Sequence, residues 1–536
     1  MKRTRARVLI FAATLCFCRS GFCQTRTVAL SAQTAPGLSS TAPFSQFARA
    51  VLNDHGQVAL VGTAGGVSGV WSEGAGSGLS LISNNQPTSS SGVKLSNFQR
   101  IVLNDRGQLA IEAGFTGGAS PNVSGVGLWT SGINGPLDLV VREGQLASEH
   151  PNGAFLNDFL QNSFGASGSP PILNDAGQLG FRGLLRGPGI NGSVNNDKGL
   201  WWDLGTGVTP VIFSRDTTTG LANGLDSIGF GQPVINNHGQ MLVKVNLAPS
   251  GISQSLLLAS PNGTLSTIAS SSDGFSSIAA VTPGRLNDAG DVAFIASRAG
   301  SGRSIWVRQH AGSLGRIIRS QDFAPGGGGL TYDTLGDPII NSQGRIAFGG
   351  YLKGPGVVDV RDHFGIWATR SSQVEKIVLA GDTAPGLDNA VFGRLDPSFT
   401  FNRNGQIAFQ GLAVLLGGQQ RHGIWATNQF GELKLIASAG TQIDVDNGAG
   451  IDLRTVSIAS MLVPDQGGTG NEDGLASAFN ELGQLAFLAT FTDGSRGVFV
   501  SNAVAVPEPA IAGQLIVVAF AFFLSRATSK AGGPGY

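Results

Sequence analysis

The stretch "LNDAGQLGF", residues 173–181, is written eight times along the chain with small changes. The other copies are LNDHGQVAL at Leu52, LNDRGQLAI at Leu103, INNHGQMLV at Ile235, LNDAGDVAF at Leu286, INSQGRIAF at Ile340, FNRNGQIAF at Phe401 and FNELGQLAF at Phe479. Two positions never change. They are the pairs Asn53 and Gly56, Asn104 and Gly107, Asn174 and Gly177, Asn236 and Gly239, Asn287 and Gly290, Asn341 and Gly344, Asn402 and Gly405, and Asn480 and Gly483. Asn-x-x-Gly between two short apolar runs is a hairpin signal. Gly supplies a positive φ at no steric cost, and the Asn side chain accepts from its own backbone two residues on. These pairs are therefore read as structural turns. The residue after Asn is Asp54, Asp105, Asp175 or Asp288 in four copies, but Asn237, Ser342, Arg403 or Glu481 in the rest. Such tolerance suits a solvated turn better than a ligand site, so Asp175→Arg is expected to do little.

Successive turn glycines stand 51 to 78 residues apart, too long for a leucine-rich or tetratricopeptide unit and suited to a propeller blade with variable loops. After each turn the pattern alternates. Ala or Gly fills the Gly180 position in seven of the eight copies, with Leu242 the exception, which would let a neighbouring sheet approach closely. A short aromatic strand follows, ending at Trp71, Trp129, Trp201, Trp306, Trp367, Trp425 or Phe499. A third element, as in "EKIVLAGDTAPGL" from Glu375, and a fourth apolar piece before the next turn complete the unit. Helical periodicity is absent between the two ends. Four strands per unit and eight units predict an all-β chain folded as a β-propeller of eight four-stranded blades. The eighth unit lacks its third element. Residues 28–38, "VALSAQTAPGL", match "IVLAGDTAPGL" at 377–387, so the N-terminal strand is expected to complete the last blade and remove two open sheet edges. An open solenoid of sheets is the alternative.

Composition narrows the function classes. Charged residues make up 13% of the 536, against about 25% in an average soluble domain. Lys plus Arg and Asp plus Glu balance at 35 each, so no basic field draws nucleic acid. Glycine is abundant, at 80 residues, as many tight turns require. The three cysteines, Cys16, Cys18 and Cys23, all lie near the N-terminus. Disulfides, cysteine-held zinc and thiol catalysis are thereby excluded from the body.

Both ends read as addresses. Lys2, Arg3, Arg5 and Arg7 precede an apolar run over residues 8–18, the pattern of a secretory signal peptide over residues 1–24. A lipoprotein reading would use Cys23, but "SGFC" lacks the usual aliphatic residue. Residues 504–536 hold Val506, Pro507, Glu508 and Pro509, an apolar stretch over 511–524 expected as a short helix, then Arg526 and Lys530. This segment resembles the PEP-CTERM sorting signal. The resemblance implies recognition by an exosortase-type enzyme, transient anchoring in the inner membrane, cleavage near the motif, and release or attachment at the cell surface. A thin basic cluster and Gln514 depart from the pattern, and an ordinary membrane anchor is the alternative. Residues 25–503 are expected to form the propeller domain; Phe401–Phe409, Gly423–Trp425 and Gly381–Gly386 match N-x-x-G-x-x-A-F, G-I-W and G-D-x-A-P-G, and residues from about 28 to 500 resemble an uncharacterised bacterial repeat family found in such proteins. That likeness implies no activity. In role, the turn motif is similar to the Asp-box of sialidase propellers.

Chemistry-bearing candidates are few. The recurring tryptophans could line a sugar groove, but regular recurrence favours packing; Trp202 lies outside the series and is the better candidate for an exposed contact. Asp444, Asp446 and Asp452 in "DVDNGAGID" offer oxygens as a calcium loop would. The glycine stands one place early and no Glu closes the loop, so a plain acidic turn is the competing reading. The six histidines form no metal-ligand spacing, and no nucleophile elbow or phosphate loop is found. No cofactor is implied. The sequence supports an exported surface or matrix protein that binds polysaccharide or another surface protein through a propeller face. The alternative is a carbohydrate-active hydrolase or lyase, which needs paired carboxylates that a propeller could assemble from distant blades.

Overall fold

A computed structural model describes residues 25–505 apart from short internal stretches, the longest at 159–170 and 462–472. Residues 1–24, read above as a signal peptide, the expected helix over 511–524, and Val506, Pro507, Glu508, Pro509 and Arg526 of the expected sorting signal lie outside the described residues. Within them the strands form eight antiparallel sheets, each a meander. Blade seven shows the plan. Its inner strand Val391–Phe401 turns through Asn402–Gly405 into Ile407–Val414. Gln420–Thr427 and the outer strand Leu433–Ser438 follow. The fold is an eight-bladed β-propeller.

Because blades pack face against face, both faces of each sheet are buried. Phe181 and Arg182, on opposite faces of one strand, are both 2% exposed. The small residue at the Gly180 position serves this packing: a Cβ there would come 2.5 Å from Met241 of the next blade. Within a blade, the aromatic of the third strand stacks on that of the second. Phe409 and Trp425 lie 6.3 Å apart at 18°, and Phe348 and Trp367 repeat the arrangement. The inner-strand aromatic meets the indole edge-on, as Phe392 meets Trp425 at 4.9 Å, a geometry that aromatic quadrupoles favour. The glycine of G-I-W follows from this cluster. The indole folds back over the backbone two residues earlier, so a Cβ on Gly423 would lie 2.7 Å from it. The A-P-G element has its partner too. The indole Nε1 atoms of Trp71, Trp367 and Trp425 donate to the carbonyls of Pro36, Pro325 and Pro385 in the loops entering their blades.

Ring closure takes the expected form. Thr25–Leu30 pairs antiparallel with Arg496–Ser501, with Thr25 opposite Ser501 and Leu30 opposite Gly497. The N-terminal strand is thus the outer strand of blade eight. Arg26 then reaches blade one, donating to Glu73 and to the Gly56 carbonyl. The first and last described strands thereby share one sheet.

Candidate functional site

The eight turns meet around the propeller axis. Each turn Gly has a positive φ, between 70° and 82°, and each turn Asn is completely buried. The Asn53 Oδ1 accepts from the backbone N–H groups of His55 and Gln57, pinning its own turn. Its Nδ2 donates to the backbone carbonyl of Asn104 in the next blade. The same bond recurs from Asn104 to Asn174, then to Asn236, Asn287, Asn341, Asn402 and Asn480, and from Asn480 back to Asn53, at 2.7 to 3.1 Å. One asparagine per blade therefore closes a circular chain of hydrogen bonds.

A second circuit lies beside the first. The backbone N–H of Asp54 donates to the Asp105 carboxyl, that of Asp105 to Asp175, that of Asp175 to the Asn237 side chain, and that of Asn237 to Asp288. Across the seam, Arg403 N–H donates to Glu481, and Glu481 N–H to Asp54. The Asn237 amide also bridges the carboxyls of Asp175 and Asp288. These acidic side chains are half-buried or buried and bonded, not freely solvated as the turn reading above expected; they hold neighbouring blades. Burial, and then the neighbouring Asp105 charge, push Asp54 up to about 8 and Asp175 up to about 6. Burial also raises Asp105. At Ser342 and Arg403 the circuit changes form, and Asn341 Nδ2 donates to the Arg403 carbonyl as well as to that of Asn402.

Residues 473–478 of blade eight cross the axis directly above this ring. The inner strands of a propeller turn a backbone edge to the axis, and this segment satisfies it. Leu52 N–H of blade one donates to the Ser477 carbonyl, Leu173 N–H of blade three to Gly474, and Ile235 N–H of blade four to Asp473. Asp473, fully buried, also pairs with Arg285 of blade five at 3.2 Å. The Asn ring and the crossing segment thus lie together at the turn end of the axis. The 78-residue spacing between Asn402 and Asn480 is the sequence trace of this insertion.

Buried charge follows a rule that the sequence reading missed. Five residues after each turn Gly, the second strand carries Val61, Glu112, Arg182, Lys244, Ile295, Gly349, Gln410 or Leu488. This position faces the inner strand of the following blade. Lys244 Nζ donates to the carbonyl of Ile278 in blade five at 2.7 Å, and burial lowers its pKa to about 8. Gln410 accepts from Met461 N–H in blade eight. Glu112, almost fully buried, pairs with Arg100.

The remaining candidates take structural places. Trp202 is 4% exposed and packs with Ile172 and Ile235, so it offers no surface contact. Asp444 accepts from the N–H groups of Asp446 and Asp452, and Asp446 from Gly448. Asn447 brackets the N-terminal strand, accepting from Thr27 N–H and donating to the Thr27 carbonyl. The loop is a clasp on the ring-closing strand. Among the described residues no three His, Cys, Asp or Glu side chains converge as metal ligands.

Exposed apolar side chains gather on the face away from the turn ring. Leu146 and Phe323 occupy loops that enter blades three and six. Val358 and Leu416 occupy turns between the second and third strands of blades six and seven. They are 58%, 73%, 100% and 83% exposed. Phe430, at 76%, lies on the ring face.

The family model described as a family of unknown function, DUF7453, matches residues 17–201 and 162–513. The chain belongs to this family. The two matches overlap and together run through all eight turns, so the family's unit is written more than once around the ring. No curated protein matches the sequence. Among solved structures, the Dos1 propeller is similar over 90% of this chain and 96% of its own, at 10% identity and a TM-score of 0.36. A puromycin hydrolase is similar over 76% of this chain and 56% of its own, at 12% identity and a TM-score of 0.36. The periplasmic gluconolactonase PpgL of Pseudomonas aeruginosa is similar over 77% of this chain and all of its own, at 15% identity and a TM-score of 0.31. Among the described residues no helix is long and apolar enough to cross a membrane.

Proposed function

We propose that this protein is an exported cell-surface or matrix-associated binder that catalyses no reaction and uses the face opposite the Asn ring to hold polysaccharide or another surface protein. The observation that carries this reading is the exposure of Leu146, Phe323, Val358 and Leu416 on that face. Exposed apolar side chains clustered on one face mark an interaction surface. The axial carboxyls are occupied in holding blades together, which supports binding over hydrolysis. Export and surface attachment rest on the two terminal segments, with an exosortase-type enzyme as the processing partner.

The test is a glycan array of residues 25–505, run beside an assay for released sugar. Binding without release, weakened at least tenfold by Phe323→Ser combined with Leu416→Ser, is the expected result. Release of reducing sugar would favour the hydrolase or lyase reading. Intact-mass analysis of protein from the native cell checks processing: mature protein should lack residues 511–524, and their retention would favour a plain anchor.

A further inference from the structure

We propose that the face carrying the Asn ring is the membrane-proximal face, seated on anionic lipid headgroups while residues 511–524 are in the bilayer, so that the apolar rim is presented outward. The inference rests on the reading of those residues as a membrane segment. Three observations point to the ring face.

The first is where the chain leaves the fold. Thr25 and Ser501 are opposite one another at the ring end of blade eight. Val504 stays there, its carbonyl accepting from Gln406 Nε2 of blade seven at 2.8 Å. Both terminal segments therefore depart from one spot on one face. The second is reach. Six residues lead from Ala505 to Ile511, at most about 20 Å fully extended. The eight-residue strand Ile407–Val414 is itself roughly 26 Å long. So short a tether keeps the face it leaves from nearest the bilayer.

The third is charge. The exposed residues on the ring turns include His55, Arg106, His238, Arg345 and Arg403. Arg106 and Arg345 lie across the turns of the following blades, donating to the carbonyls of Ala176 and Asn404. The carboxyls of Asp54, Asp105 and Asp175 are turned inward, into the ring. Glu432, the exposed acid on a neighbouring turn, is paired with Lys434. Phe430, on the same turn as Glu432 and 76% exposed, suits the headgroup boundary. Basic side chains around an apolar tip are what an anionic interface attracts.

The full chain allows a clean test, because its body has no cysteine. With Cys16, Cys18 and Cys23 replaced by Ser, single cysteines are introduced by Ala289→Cys or Gln343→Cys on the ring face, and by Val358→Cys or Leu416→Cys on the far rim. Each is labelled with a fluorophore and reconstituted into phosphatidylcholine vesicles with and without phosphatidylglycerol, carrying a headgroup quencher. Ring-face labels should be quenched at least twofold more than rim labels, with the contrast growing with phosphatidylglycerol. Arg106→Glu with Arg345→Glu should abolish that growth, whereas Arg106→Gln with Arg345→Gln, which loses the same interblade bonds without reversing the charge, should only reduce it. Equal quenching on both faces, or stronger quenching at the rim, overturns the proposal. Failure of the chain to float with vesicles overturns it too, by removing the membrane segment it rests on. Loss of glycan binding alone would strike the function proposed above and leave the docked face untouched.

Discussion

Replacing Asp54 with Asn should make the protein less sensitive to alkali. The Asp54 carboxyl accepts from Glu481 N–H and sits against Asp105, with Asp175, Glu481, His55 and Arg403 nearby. Carrying it from 3.8 up to about 8 corresponds to roughly 6 kcal/mol at about 1.4 kcal/mol per pH unit, a ceiling that relaxation of the turn lowers. The direction follows from proton linkage. A carboxyl whose pKa is raised on folding contributes stability that is present in full below about pH 4. That contribution declines as pH rises and is gone once pH passes the folded value, about 8 for Asp54 and about 6 for Asp175. The wild-type thermal midpoint should therefore fall by several degrees between pH 5 and pH 9. Asn keeps the accepting oxygen and cannot ionise, and Asn237 already fills the same place in blade four, bonded to both neighbours. Asp54→Asn should thus match the wild type near pH 5 and exceed it by at least 1 kcal/mol, roughly, at pH 9. Differential scanning calorimetry over that range reads the effect, and parallel curves for the two proteins would refute the reasoning.

Three further outcomes are expected. Gly177→Val puts a β-branched residue at φ 82°, with its Cβ 2.7 Å from Gln108 of the preceding blade, and should cost at least about 1–3 kcal/mol in urea denaturation. Asp175→Arg, silent if the turn were solvated, removes acceptors for Asp105 N–H and the Asn237 amide and should cost about 2–4 kcal/mol; a change below about 0.5 kcal/mol would restore the solvated reading. Deleting residues 25–30 exposes the edge of Arg496–Ser501, so hydrogen exchange should speed up there well before it does in the inner strand of blade one, Phe44–Leu52.

The repeated turn made the fold legible because its two constant residues have local duties that sequence alone reveals: a positive φ for Gly, a self-bonded loop for Asn. The ring closure was legible for a similar reason, since the missing third element at one end had its copy at the other. The ring itself was not. Asn53 Nδ2 spends its bond on a carbonyl 51 residues away, and nothing local distinguishes that duty from turn-making. Variation at the neighbouring position misled in the same manner. Asp, Asn and Glu all offer an oxygen to the preceding blade, so what reads as tolerance is one acceptor in three forms, with Ser342 and Arg403 as the true departures. Trp202 failed for a different reason. Counting it as an extra aromatic ignored that both faces of a propeller blade are interior, so the residue beside a buried Trp201 points into the next seam.

The polar side chains five residues after each turn tie these threads together. In a chain with 13% charged residues, burying Glu112, Arg182 and Lys244 in consecutive blades needs a cause, since a buried charge is costly unless bonded. The cause lies in the following blade. The inner strands that Val61 and Leu488 face, Val93–Leu103 and Phe44–Leu52, are continuous. Those facing Glu112, Arg182 and Lys244 come in two pieces, as in Phe275–Ile278 and Arg285–Leu286. Where a strand stops, its backbone loses ladder partners, and Lys244 on Ile278 and Gln410 on Met461 supply them. Blade six is a check on the rule. Its inner strand is also in two pieces, but Gly336 N–H is taken by the Gly349 carbonyl of its own blade, and the side chain facing it from blade five is Ile295, which is apolar. Lys244 and Gln410 thus bond the backbone of a following blade whose inner strand is in two pieces, and the crossing segment from blade eight bonds to blades one, three, four and five. Interrupted inner strands are tied to their neighbours by side chains and by the crossing segment as well as by their own ladders.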